Sequence, residues 1–250
     1  MLCRLVLWVF IVSLVLLPRH LFAISGKEII EKSEEAVRGR TLVGYYDITV
    51  KTRRWTRTMR MKSYQDRGSR KSFAEILSPR KDAGNRFLLI GDNMWHFVPN
   101  IQKTVKISPS MMLQSWMGSD FTNDDIVKES SIIKDYTHTI KGTLDVNGHR
   151  CYKVELMPRP NAAVVWGKIL YYARTGDYLP VKEEFFNEHR VMKKVLTFSS
   201  FKNMDGRVIP TVYKMQPLRK RRYTLMEIRA IRFNAAIPGR IFSLQNLTGK

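Results

Sequence analysis

Cysteine is nearly missing from this chain, with only Cys3 and Cys151 among 250 residues. Cys3 lies before an N-terminal apolar run and not at its end after a Leu-x-x pattern, so it does not fit a lipidated mature N-terminus. If the leading segment is removed, Cys151 stands alone and an intrachain disulfide is excluded, which leaves stability to a packed core. Acids are few as well, 22 against 43 Lys and Arg, for a net charge of +21. Catalytic signatures are missing. No Gly-x-Ser-x-Gly, His-Glu-x-x-His, Cys-x-x-Cys, phosphate loop or calcium loop occurs. His96, His138, His149 and His189 stand far apart without ligand spacing. The expectation is a non-enzymatic protein with no metal and no cofactor. No Ser/Gly/Pro linker, internal repeat or low-complexity segment divides the chain, and after Leu17 no apolar run approaches the roughly 20 residues of a spanning helix.

What is present begins with an export signal. Arg4 precedes the apolar run Leu5–Leu17, and Pro18-Arg19-His20 leads to Leu-Phe-Ala with Ala23 suited to the last position before cleavage. Residues 1–23 read as a signal peptide cleaved near Ala23, and residues 24–250 as one domain, long enough for a sizeable β-rich core. Losing Arg4 and Arg19 leaves the remainder at +19. In an exported chain that charge favours anionic lipid head groups or an acidic partner over nucleic acid. The densest basic runs are Arg53-Arg54 and Arg219 to Arg222. The second falls between two strand patterns and reads as a solvated hairpin turn.

Ser25 followed by Glu28 forms a capping box, and Ile29, Ile30, Ser33, Ala36 and Val37 trace one face of a helix closed by Arg38-Gly39. Period-two patterns follow, over Thr41 to Thr52, Trp55 to Tyr64, Ser69 to Leu77 and Arg86 to Ile90. They resume later over Tyr136–Val146 and Cys151–Met157, joined by the hairpin pair Asn147-Gly148, and over Val164–Ala173, Pro180–Phe186, Val191–Phe201, Val208–Met215 and Tyr223–Phe233. Met192, Leu196 and Phe198 share a face on which Lys194 intrudes, and Met226, Ile228 and Ala230 share another.

Between the two halves lies the stretch from Met94 to Ile126. Trp95, Phe97 and Val98 end at Pro99-Asn100, and Ile101, Lys103, Val105 and Ile107 alternate with polar residues. Ser108 stands as an N-cap, Pro109 as a first helical residue and Gly118 as a stop, so the spacing predicts a helix over 109–117. Met112 with Trp116, and Leu113 with Met117, lie four apart on one face. A cover of Met111, Met112, Leu113, Trp116 and Met117 is soft and adaptable, and suits either a flexible apolar ligand or plain packing. Asp124 and Asp125 follow Thr122 as helix-capping acids, whereas Asp120 in Gly118-Ser119-Asp120-Phe121 could face a partner or a basic strand. Together these patterns predict a mainly β protein. About ten strands form a curved antiparallel sheet, an incomplete half barrel, covered by an N-terminal helix and a mid-chain helical lid.

Asn85-Arg86 before Phe87-Leu88-Leu89, the Trp95-x-Phe97-x-Pro99 segment, Lys106-Ile107-Ser108, and above all Trp116-Met117-Gly118-Ser119-Asp120-Phe121-Thr122-x-x-Asp125 resemble the outer-membrane lipoprotein-sorting (LolA-like) proteins. The likeness is to the branch that carries a Met-Gly-Ser-Asp-Phe motif. It implies a periplasmic carrier, an incomplete barrel closed by helices that takes up lipoprotein acyl chains or other lipids for transfer towards the outer membrane. Trp95, Phe97, Met111, Met112, Leu113, Trp116, Met117 and Phe121 become the candidate cavity and lid residues, with Gly118, Ser119 and Asp120 as the motif. The implied partners are an inner-membrane transporter, of ABC or resistance-nodulation type, and an outer-membrane acceptor, with the carrier itself a monomer. The alternative is a non-catalytic envelope scaffold that docks on an export system and whose interior is filled. An envelope hydrolase, resting on Asp120 and scattered histidines, is a third reading.

Overall fold

A computed structural model describes residues 24–127, 131–162, 164–219 and 221–249. The signal segment 1–23 lies outside the described residues. Helix α1 (Gly26–Val37) starts where the capping box puts it, with Ser25 Oγ accepting from the Glu28 N–H at 3.1 Å. The strands follow as β1 (Thr41–Lys51), β2 (Thr56–Asp66), β3 (Lys71–Ser78), β4 (Arg86–Ile90), β5 (Asn93–Val98) and β6 (Lys103–Ile107). After an insert come β7 (Tyr136–Val146), β8 (His149–Pro158), β9 (Lys168–Arg174), β10 (Pro180–Phe186), β11 (Met192–Met204), β12 (Arg207–Pro217) and β13 (Tyr223–Phe233). Every strand pattern in the sequence has its strand, but they number thirteen rather than about ten, because short runs such as β4, β5 and β6 each form a separate strand. β9 starts later than its pattern. The backbone before it turns, Val164 N–H donating to the Ala162 carbonyl, and the Trp166 carbonyl accepts from the Tyr136 hydroxyl.

All thirteen strands form one antiparallel sheet in the order β6-β5-β4-β3-β2-β1-β13-β12-β11-β10-β9-β8-β7. The two edges, β6 and β7, are consecutive in sequence, so the insert between them has to cross the open side of the curved sheet. Most hairpins are tight. Asn147 and Gly148 both have positive φ, 50° and 79°, as a two-residue turn matched to strand twist requires.

The concave face carries the main core. Leu42, Tyr46, Ile48 and Val50 of β1 meet Met59 and Met61 of β2 and Ile228 of β13, while Tyr171, Phe185, Leu196, Phe198 and Met215 fill the other half beneath α1. Ile29 and Ile30 of α1 are fully buried there, each worth about 2–3 kcal/mol of transferred apolar surface. Gly26 lets the helix approach β7, since a Cβ at that position would lie 2.9 Å from the His138 carbonyl oxygen. The convex face has its own cluster: Phe73, Leu88 and Phe97 are covered by Phe242 of the turn Gly239–Phe242 and Leu247 of the C-terminal helix Leu244–Thr248.

Two expected faces are broken by bulges. β1 pairs Tyr46 with Ile228 but Tyr45 with Ala230, so Ala230 turns to the outside and Ile231 and Phe233 take the inner positions. β10 pairs Phe185 with Lys194 but Phe186 with Met192, which removes Met192 from the face of Lys194, Leu196 and Phe198.

Candidate ligand cavity and its latch

Between the sheet and the insert lies a cavity of about 900 Å³. Its walls are Leu42, Tyr46, Met61, Phe87, Met94 and Ile228 on one side and Tyr136, Ile169, Phe185, Leu196, Phe198 and Met215 on the other, with Trp116, Phe121 and Trp166 also lining it. The volume lies in the range of sites for small apolar molecules.

The insert is not the α-helix that the 109–117 spacing predicts. It forms a 3₁₀ turn at Pro109–Met111 and another at Trp116–Gly118, then two short helices, α2 (Asn123–Val127) and α3 (Ser131–Lys134). Met117 has φ 49° and Gly118 φ 71°, so the chain reverses at the motif. The reversal is closed by Trp116 N–H donating to the Phe121 carbonyl at 2.8 Å and Ser119 N–H donating to the Trp116 carbonyl at 2.9 Å. Spacing of four identifies a shared helical face only if the backbone is helical throughout, and these left-handed residues prevent it. α2 is capped as expected: Asp125 N–H donates to Thr122 Oγ1 and Thr122 N–H to Asp125 Oδ2.

Side chains at the starts of three strands fasten the insert. Arg57 of β2 donates to the Met117 carbonyl. Asp120 accepts from Arg222, just before β13, and from Thr224 Oγ1 at 2.9 Å, and the Asp120 N–H donates back to that hydroxyl. Arg222 also donates to the Gly118 and Ser119 carbonyls at 3.3 and 3.0 Å. Lys194 of β11 pairs with Asp125 in a contact buried on both sides. The Lys194 ammonium also lies over the Trp166 ring, 4.7 Å from its centre. Because Lys51 pairs with both Thr56 and Tyr223, and Lys194 with Pro217, these strand starts share one end of the curved sheet. The insert therefore closes that end.

The expected site residues divide. Trp116 is 2% exposed, stacks obliquely on Phe87 with ring centres 5.2 Å apart, and lines the cavity with Phe121. Met111, Met112 and Met117 are half-buried against the concave core and do not line the cavity. Leu113 is 61% exposed and covers nothing. Trp95 and Phe97 lie elsewhere: on β5 they face outward, Phe97 into the convex cluster and Trp95 against it with Lys106 over its ring. Their neighbours Met94 and His96 face inward, a difference of one residue in register. Gly118, Ser119 and Asp120 form the turn and the latch.

Reading the sequence missed Arg57, Arg222 and Lys194 as latch residues. Arg222 sits in the basic run read as a solvated turn, and the available signals were Lys194 interrupting an apolar face and Asp120, which could face a basic strand. Glu183 was missed too. It lines the cavity, where burial and then the nearby Glu34 push its carboxyl up to about 8. His96 stacks on Phe87 at 4.2 Å, hydrogen-bonds Asn85 at 2.8 Å, and is held down to about 4 by burial. Among the described residues no group of three His, Cys, Asp or Glu is placed to hold a metal ion, and no helix is long and apolar enough to cross a membrane.

The fold is one already seen in other proteins. A DUF1329 family protein from Desulfovibrio piger superposes with a TM-score of 0.82 at 18% identity, over 89% of this chain and 97% of that one. A putative outer membrane lipoprotein-sorting protein domain from Vibrio parahaemolyticus gives 0.78 at 22% identity, over 89% and 98%. A LolA superfamily protein from Nitrosomonas europaea gives 0.76 at 20% identity, over 90% and 100%. No curated protein sequence matches. A protein-family model described as "-like: Uncharacterized protein" matches residues 68–249. The chain belongs to that family, and its open thirteen-stranded sheet is the LolA-like fold of the lipoprotein-sorting proteins.

Proposed function

We propose that this protein is a periplasmic carrier that holds the acyl chain of a lipoprotein or another lipid in the cavity and releases it when the insert opens. The observation that carries the reading is the cavity itself, apolar over most of its wall and closed at one end by a segment fastened through a few polar contacts. An acyl chain brings its own driving force, about 0.8 kcal/mol for each CH₂ removed from water. Nothing has to be catalysed. The scaffold alternative calls for a filled interior, and the cavity argues against it. Signal-peptide cleavage near Ala23, transfer towards the outer membrane, and partners of the transporter and acceptor kind belong to this reading.

The test is native mass spectrometry of protein purified gently from a periplasmic extract, followed by organic extraction of whatever is bound. A co-purifying acylated molecule is the expected result. A clean apo mass that stays unchanged when lipids are offered would turn the reading towards the scaffold.

A further inference from the structure

The end of the curved sheet opposite the latch has a different chemistry. Thr41 pairs with Asp66, Leu42 with Phe233, Lys71 with Ile90 and Met204 with Arg207, so the start of β1, the β2–β3 turn and the β11–β12 turn meet there. The cavity reaches this end, where it is lined by Arg38, Arg40, Arg67, Arg70 and Arg207 against Glu34, Glu35 and Asp66. Several of these cations are already engaged. Arg38 pairs with Glu34 at 3.0 Å, Arg70 bonds Asp92, and Arg207 donates to the Glu35 and Arg38 carbonyls at the end of α1. Among the described residues no carboxylate pairs with Arg67 or Arg207, and both are only partly exposed; Lys71 shares the outward face of β3 with Phe73. Phe87, under Trp116, lies three residues along β4 from Ile90, which pairs with Lys71, so the rim is about 10 Å from the closed end's aromatic contact.

An apolar cavity closed at one end and carrying, at the other, cations without a carboxylate partner matches one class of ligand. We propose that the cavity receives an amphiphile tail first, and that its anionic head, carboxylate or phosphodiester, is held at the open end by Arg67 and Arg207. This rests on the carrier reading and narrows its ligand. The tail contributes affinity by leaving water; the rim selects charge and sets direction. A cation at a partly solvated rim multiplies affinity for a monoanion about fivefold, and salt weakens that share but leaves the tail's share intact.

The test is displacement of a bound apolar fluorescent dye from delipidated protein by three probes: oleate, oleoyl lysophosphatidylglycerol, and oleyl alcohol as the uncharged match. Both anions are expected to displace the dye at concentrations at least about tenfold below the alcohol at low salt, with the gap closing in 0.5 M salt. The Arg67→Ala variant, at a position with no ion pair among the described residues, should weaken the anions about fivefold and leave the alcohol unchanged, whereas Lys71→Ala, on the outward face of β3, should change neither. If only one anion is favoured, that head is the ligand's. Alcohol binding as tightly as both anions would overturn the inference while leaving the carrier reading standing, and so would a salt-independent gap. Failure of all three probes would overturn both.

Discussion

Replacing Asp120 with alanine should release the insert without unfolding the sheet. The carboxylate is 2% exposed, accepts from Arg222 and from the Thr224 hydroxyl, and joins the motif turn to the start of β13. Breaking a fully buried ion pair costs about 3–5 kcal/mol because the surviving charge is stranded. Here the Arg222 side chain is 24% exposed and keeps the Gly118 and Ser119 carbonyls, so it can rehydrate and the loss should be nearer about 2 kcal/mol. If the insert opens as its own unit, that loss falls on local opening alone. Amide exchange over residues 110–126 should then accelerate about 30-fold, with exchange in β1, β2 and β13 nearly unchanged. Hydrogen exchange read by mass spectrometry at peptide resolution makes the comparison. Equal acceleration in the sheet and the insert would refute the latch, because the insert would then be part of one cooperative core.

Lys194→Met should lower stability by about 3 kcal/mol in urea titrations by leaving Asp125 buried alone, and adding Asp125→Asn, which keeps an oxygen for the Thr122 cap, should restore most of it. Glu183 binds a proton more tightly folded, with its carboxyl near 8, than unfolded near 4.5, so the folded state holds the extra proton between those values and stability falls as pH rises. His96 works the other way: its folded value near 4 lies below 6.5, so stability is lost as pH falls below about 6.5 and it adds no slope above that. Between pH 6.5 and 8, therefore, denaturation midpoints should fall for the parent and stay flat for Glu183→Gln. Leu113→Ser should change stability by less than about 0.5 kcal/mol, whereas Trp116→Ala should cost about 3 kcal/mol and weaken lipid retention.

Much of this fold is legible in the sequence because its strands are regular and their turns carry specific chemistry. Ser25 with Glu28 starts α1, Asn147-Gly148 makes its hairpin, and β4 and β10 end at the residues where the alternation ends. The site is less legible for three physical reasons. A single-residue register decides whether Met94 or Trp95 faces the cavity, and both are apolar. A left-handed backbone at Met117 and Gly118 turns an apparent helical stripe into a reversal, which sends Leu113 to solvent and Trp116 inside. The latch joins residues up to 104 apart, as in Asp120 with Thr224, and no local pattern pairs them. Lys194 did leave a trace, since a charge on an apolar inner face needs a partner, and Asp125 is that partner.

The central claim, that an acyl chain occupies the space beneath the insert, can be tested with the chain's own fluorophores. Trp116 and Trp166 line the cavity, whereas Trp55 is 47% exposed and Trp95 packs on the convex face. In variants of residues 24–250 that each retain one of these four tryptophans, brominated acyl chains should quench Trp116 and Trp166 saturably and leave Trp55 and Trp95 unaffected. Quenching confined to Trp55 and Trp95, or no saturable quenching at any of the four, would contradict the account.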